Sequence, residues 1–134
     1  MTDVHHVTTS RAVSTHVPGR VRVDERDDLV FTVSTPDAAE TDSLSPEQLY
    51  AASLASCLHQ AIAVEATKIG AATDGSQVHA TVDLTHNGSQ RFGMQAQVTI
   101  ELPDVDENTA ARVRSEAMAT CPLVNGVEIS TSDR

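Results

Sequence analysis

The 134 residues suffice for one domain and exclude two, and the hydrophobic set is dominated by 17 Ala and 16 Val with no Trp, so any core is thin. A formal net charge of -10, from 9 Lys+Arg against 19 Asp+Glu, disfavours nucleic acid, whose binding draws on cationic contacts to phosphate. No stretch approaches the ~20 apolar residues that cross a bilayer, and the first twenty residues hold no run fit for a signal peptide, so the expectation is a cytoplasmic protein with no membrane partner.

Residues 3–17 place Val, Thr and His at alternating positions (Val4, His6, Thr8; Val13, Thr15, Val17), the period of a half-buried strand, and Pro18-Gly19 breaks it. Arg20 to Val23 alternates again and leads through the acidic turn Asp24–Asp28 into Leu29–Val33, which predicts a hairpin. Residues 34–44 carry turn formers without periodicity and are expected to be a loop. Ser45-Pro46-Glu47-Gln48 is a helix start, with Ser as cap, Pro at the first helical position and Gln three residues on. The helix should run to about Ile69 and stop at Gly70. Leu54, Cys57, Leu58, Ala61 and Ile62 follow its period, while the many Ala and Ser around them predict a central helix packed closely on several sides.

From Gln77 the period returns to two, with Val78, Ala80, Val82 and Leu84 on one face; His86-Asn87-Gly88-Ser89 supplies turn chemistry. Phe92 to Leu102 should be its partner strand, placing Met94, Ala96, Val98 and Ile100 together. Residues 106–119 predict a second helix with Ala110, Val113 and Ala117 inward, Cys121-Pro122 follows, and Val127 to Thr131 reads as a last short strand. The order β-β-β-α-β-β-α-β implies an α+β fold on antiparallel sheet, one domain over residues 1–134.

Two cysteines make no disulfide scaffold. If Cys57, in mid-helix, and Cys121, at the end of the second helix, meet in space they form a dithiol able to attack, oxidise and close. On spacing alone, two buried inert thiols are the more ordinary reading. The acidic background opposes thiolate formation, so a reactive cysteine here needs a nearby cation. The scattered histidines hold no His-x3-His pair and the cysteines no CxxC, so no metal is expected; the acidic turn is not an EF-hand, and no phosphate-binding loop precedes a helix.

The run from Ser45-Pro46-Glu47-Gln48-Leu49-Tyr50-Ala51-Ala52 to Ala55-Ser56-Cys57-Leu58, with Cys121-Pro122-Leu123-Val124-Asn125-Gly126 near the C-terminus, resembles the paired signatures of the Ohr/OsmC family, the organic hydroperoxide resistance and osmotically inducible proteins. The helix start is more similar to the Ohr branch. The resemblance implies an OsmC-like α+β fold with a central Cys-bearing helix in an intertwined homodimer, the active sites at its interface. It implies a cofactor-independent thiol peroxidase acting on organic hydroperoxides, with Cys57 peroxidatic and Cys121 resolving, and with a dithiol reductant carried on lipoyl-bearing proteins. Glu47 matches the family Glu that orients an activating Arg. That Arg normally sits in a turn resembling Gly-Arg-Asp-Gly-Arg, from which His16-Val17-Pro18-Gly19-Arg20-Val21-Arg22 departs. Arg20 is the best match, with Arg22, His16 and His59 as the other cations. Tyr50, Leu54, Phe92, Met94 and Leu123 are the candidates to line a substrate pocket, or else to pack the core. The alternative is a non-catalytic family member that senses oxidation or holds a hydrophobic ligand.

Overall fold

A computed structural model describes residues 4–16, 19–34, 42–88 and 91–131. Two compact units divide the chain, Met1–Pro46 and Glu47–Arg134. The fold is α+β, and every strand pairing between named strands is antiparallel.

In the first unit β1 (Ala12–Thr15), β2 (Arg20–Val23) and β3 (Val30–Thr32) form a three-stranded sheet in that order. The predicted hairpin is β2–β3, with Val21 opposite Phe31. Its connection turns sharply because Asp24 and Glu25 both take left-handed backbone, φ 53° and 58°, and the amide of Arg26 returns to the carbonyl of Val23 at 3.0 Å. Arg26 grips Asp28 through two guanidinium nitrogens at 3.0 and 2.6 Å, which holds the Asp28 carboxyl below its ordinary pKa. The first strand is shorter than the alternation from residue 3 suggests. Residues 4–11 lie outside it, with Val4 and Val7 exposed, because alternation makes a strand only where a neighbouring edge takes its hydrogen bonds. Most of the expected loop, residues 35–41, lies outside the described residues, as do Val17 and Pro18; at its ends Val33 and Leu44 form an isolated parallel bridge.

The second unit starts within α1 (Pro46–Lys68), which begins at the proline and ends as the sequence predicts. Gly70 takes φ +68°, its amide bonds to Thr67 O at 3.3 Å and that of Ala71 to Ala66 O at 2.9 Å, the paired bonds of a Schellman stop. Two ten-residue strands, β4 (Gln77–His86) and β5 (Phe92–Glu101), form a second sheet in the register His86 opposite Phe92 and Val78 opposite Ile100. Then come α2 (Glu107–Thr120) and a one-turn helix, α3 (Pro122–Asn125). Of the hairpin turn, Asn87 and Gly88 are described and Ser89 is not.

Two neighbouring apolar clusters hold this unit together. Ile62 and Ala66 of α1 meet Ile100 and Leu102 and the inward Ala110, Val113 and Ala117 of α2. Leu58 and Leu54, one and two turns earlier on α1, pack with Cys121, Val78, Ala80 and Val98. The buried stripe of α1 is therefore narrow: Ala52, Ser53, Ser56, Ala63 and Val64 on its other sides are exposed within the chain.

The structure departs from the sequence reading, or adds to it, at three places. Met94 and Ala96 do not share the burial of Ile100, since the apolar face of the hairpin is covered only near Val78, Ala80, Val98 and Ile100 and emerges into solvent toward the turn. Residues 127–131 form no strand; Val127 and Ile129 are exposed and none of their backbone groups joins a ladder among the described residues. Between them and α2 stands α3, too short to show a helical period.

Candidate functional site

Leu54, Leu58 and Ile62 recur every four residues on α1 and dock it onto the sheet, and this fixes the direction in which Cys57 projects. Ala110, Val113 and Ala117 do the same for α2, whose last backbone bond runs from the Cys121 amide to Ala117 O at 2.9 Å. The two helices thereby bring together thiols 64 positions apart: Cys121 Sγ donates to Cys57 Sγ at 3.3 Å. Both cysteines are reduced; Cys57 is half-buried and Cys121 fully enclosed.

Burial pushes the Cys121 thiol above its ordinary pKa, and the hydrogen bond it donates to Cys57 pushes it further. The amides of Leu123 and Val124, at the start of α3, pull weakly the other way. Cys121 thus holds its proton more firmly than a free thiol does, and donates it toward the Cys57 sulfur. A protonated enclosed thiol beside a half-buried one is an arrangement in which one sulfur meets solutes and the other waits.

Tyr50, Leu54 and Leu123, predicted pocket residues, share the cluster around these sulfurs. Phe92 and Met94 do not: they stand 69% and 52% exposed at the open end of the hairpin, where Phe92 stacks against His86 with ring centroids 4.8 Å apart. Glu47 sits in the first turn of α1, half-buried, and its Oε2 is enclosed without a hydrogen-bond partner among the described residues. A buried carboxylate oxygen left so is a place for a cation.

Arg20 begins β2 in the first unit, opposite Thr15 and Thr32. Arg22 lies 3.8 Å from Asp27, and His16 is exposed in the turn after β1. His59 is on α1 but is engaged by Ser76 Oγ at 2.8 Å. No cluster of three or more metal-ligating side chains occurs among the described residues.

Sequence reasoning gave no role to Glu65, which is buried on the stripe of α1. Lys68, one turn on, meets both its carboxylate oxygens, at 3.0 and 2.9 Å, and this ion pair is what lets an acid occupy a core position. The i,i+3 spacing was the available signal. Glu65 and Lys68 also line a cleft of about 220 Å³ with Ile69, Arg112, Val113 and Glu116, at the other end of α1 from Glu47 and including none of the predicted site residues.

Comparison with known proteins bears on the family and the fold. Residues 38–132 match the family model described as OsmC-like protein. The chain is 36% identical over 99 residues to the organic hydroperoxide resistance protein-like protein of Mycoplasma pneumoniae, covering 69% of each. Among solved structures it is similar to an organic hydroperoxide resistance protein from Elizabethkingia anophelis, at 25% identity and a TM-score of 0.82 over 91% of this chain and 89% of that one. It is also similar to the organic hydroperoxide resistance protein OhrB of Bacillus subtilis, at 25% identity and a TM-score of 0.73 over 89% and 88% of the two chains. Matched over residues 38–132 by the family model and 36% identical over 99 residues to the Mycoplasma pneumoniae relative, the chain belongs to the OsmC-like family.

Proposed function

We propose that this protein takes part in resistance to organic hydroperoxides as a thiol peroxidase. The observation that carries the reading is the 3.3 Å contact between Cys57 and Cys121, one half-buried and one enclosed, in a chain whose relatives are named for hydroperoxide resistance.

The Cys57 thiolate attacks the terminal oxygen of R–O–OH; the O–O bond breaks, the alcohol ROH leaves after taking a proton, and Cys57 becomes a sulfenic acid. The Cys121 sulfur then attacks the Cys57 sulfur, water leaves with the Cys121 proton, and a Cys57–Cys121 disulfide forms. A dithiol, here a lipoyl-bearing protein, reduces that disulfide and is itself oxidised. An unperturbed thiol with pKa ~8.5 is only a few per cent thiolate at neutral pH, so attack needs a cation. By the family resemblance Arg20 is the candidate for that cation and Glu47 for the carboxylate that orients it; the Oε2 of Glu47 is enclosed without a hydrogen-bond partner among the described residues. On this reading residues 1–134 work as one domain.

Tyr50, Leu54 and Leu123 form the apolar wall for the R group. Phe92 and Met94 join it from a second copy. The uncovered apolar surface supports such a homodimer, since Leu84, Met94 and Phe92 stand 41%, 52% and 69% exposed on one face of the hairpin, beyond what a thin core leaves open at no cost. The setting we propose is cytoplasmic; the described residues include no helix long and apolar enough to cross a membrane.

The test is turnover of cumene hydroperoxide with dihydrolipoamide. The wild type should consume many equivalents, Cys57→Ser none, and Cys121→Ser should accumulate Cys57 sulfenic acid without an internal disulfide. Equal consumption by Cys57→Ser defeats the proposal. A single stoichiometric oxidation in the wild type would point to a sensor instead.

A further inference from the structure

Residue 122 is where α2 would donate its next backbone hydrogen bond. In a continuing helix the amide of each residue reaches the carbonyl four back, as that of Cys121 reaches Ala117. The amide of residue 122 would reach Met118, but Pro122 has none to give. Met118 packs against the cluster around Cys121, and its carbonyl is left without the helical donor that would complete the last turn.

Asn125 fills the place. Its side-chain Nδ2 donates to Met118 O. Its backbone is held in turn: the amides of Val124 and Asn125 both bond to Cys121 O at 3.1 Å, and that of Gly126 bonds to Pro122 O at 2.7 Å. The last turn of α2 and the single turn of α3 are therefore closed on each other. Cys121, with extended φ -67° and ψ 120°, is the residue between them. Its thiol depends on both sides of that closure, on α2 for the position of its backbone and on α3 for the amides of Leu123 and Val124 beside its sulfur.

We propose that Asn125 is a positioning residue for the Cys121 thiol: by donating to the Met118 carbonyl that Pro122 cannot serve, it closes α3 onto α2 and keeps Cys121 Sγ within reach of Cys57 Sγ. The inference rests on the thiol-pair reading above. It makes Pro122 and Asn125 a matched pair, the proline ending α2 after Cys121 and the asparagine replacing the bond that the ending removes.

The experiment equilibrates the full chain with glutathione buffers and measures the effective concentration of Cys121 at Cys57 from the disulfide fraction. It uses wild type, Asn125→Ala and Asn125→Leu, the second a near-isostere without a donor. Asn125 is exposed, so both variants fold. Loss of one hydrogen bond from the ordered turn should lower the effective concentration about tenfold, while the rate of Cys57 alkylation at neutral pH stays within a factor of about two. A wild-type effective concentration in either variant overturns the proposal, including the case in which only the unfolding midpoint falls, because a purely stabilising contact would behave so. A wild-type chain that forms no Cys57–Cys121 disulfide in any buffer overturns the paired-thiol reading and this one with it. A normal disulfide equilibrium in a chain that consumes no peroxide overturns the peroxidase reading and leaves the role of Asn125 intact.

Discussion

Truncating Leu58 to Ala tests how the core serves the thiols. Leu58 has no exposed surface and packs in the cluster that contains Leu54, Cys57, Cys121 and Leu123. The substitution removes three carbon atoms, worth about 2.4 kcal/mol at ~0.8 kcal/mol per methylene, and a residual cavity of roughly 40 Å³ adds about 1 kcal/mol. A loss near 3 kcal/mol is a large share of the ~5–15 kcal/mol that stabilises an ordinary domain, and at roughly 3 °C per kcal/mol it lowers the melting temperature by about 10 °C. Urea and thermal unfolding followed by circular dichroism, with both thiols reduced, measure it; Val4→Ala, at a position 99% exposed, is the control and should move stability by less than about 0.5 kcal/mol. The same cavity opens a path to the enclosed thiol, so native-state alkylation of Cys121 by iodoacetamide should accelerate in Leu58→Ala. A loss under about 1 kcal/mol, or an unchanged Cys121 rate, would refute the claim that this cluster both stabilises the unit and shields Cys121.

Gly70→Ala should cost about 1 kcal/mol in urea unfolding: its φ of +68° disfavours any side chain, and with open space around the added carbon the cost is conformational alone. Stability should fall as pH rises above about 9, because burial raises the Cys121 pKa in the folded state and the unfolded chain gives up that proton first; below the unfolded pKa both states hold it and nothing is lost. Cys121→Ala should flatten that alkaline decline in a pH series of urea midpoints. Arg20→Ala and Glu47→Gln should each slow Cys57 alkylation at neutral pH several-fold, and rates equal to wild type would remove both from the mechanism. Phe92→Asp combined with Met94→Asp should shift the sedimentation of a wild-type dimer to monomer; an unchanged profile would show that the open hairpin face is not the interface.

Local signals carried the elements long enough to repeat them. The α1 helix is bounded by Pro46 and Gly70, whose backbone preferences act without help from distant residues, and β4 and β5 each run ten residues of alternation joined by a turn that only a glycine or similar residue makes easily. The motif around Cys57 and the Cys121-Pro122 pair were likewise legible, since they are strings of residues. A single turn such as α3 is too short to show a period, and alternation at residues 127–131 predicts a strand only if another edge pairs with it, which no described strand of this chain does. Glu65 is buried against its own character because Lys68 meets it, and Phe92 and Met94 are exposed against theirs because the hairpin outruns the helix that covers its other end.

By itself the sequence determined the long elements α1, β4, β5 and α2, that two thiols and a Glu-bearing helix start occur together, and that an Ala/Val core is thin. Only the tertiary structure decided that Cys57 and Cys121, 64 positions apart, lie 3.3 Å from one another, and that Cys121 is the enclosed one. The physical reason is that this distance belongs to no local segment. It is set by how Leu54, Leu58 and Ile62 seat α1, how Ala110, Val113 and Ala117 seat α2, and where the last hydrogen bonds of α2 leave the chain.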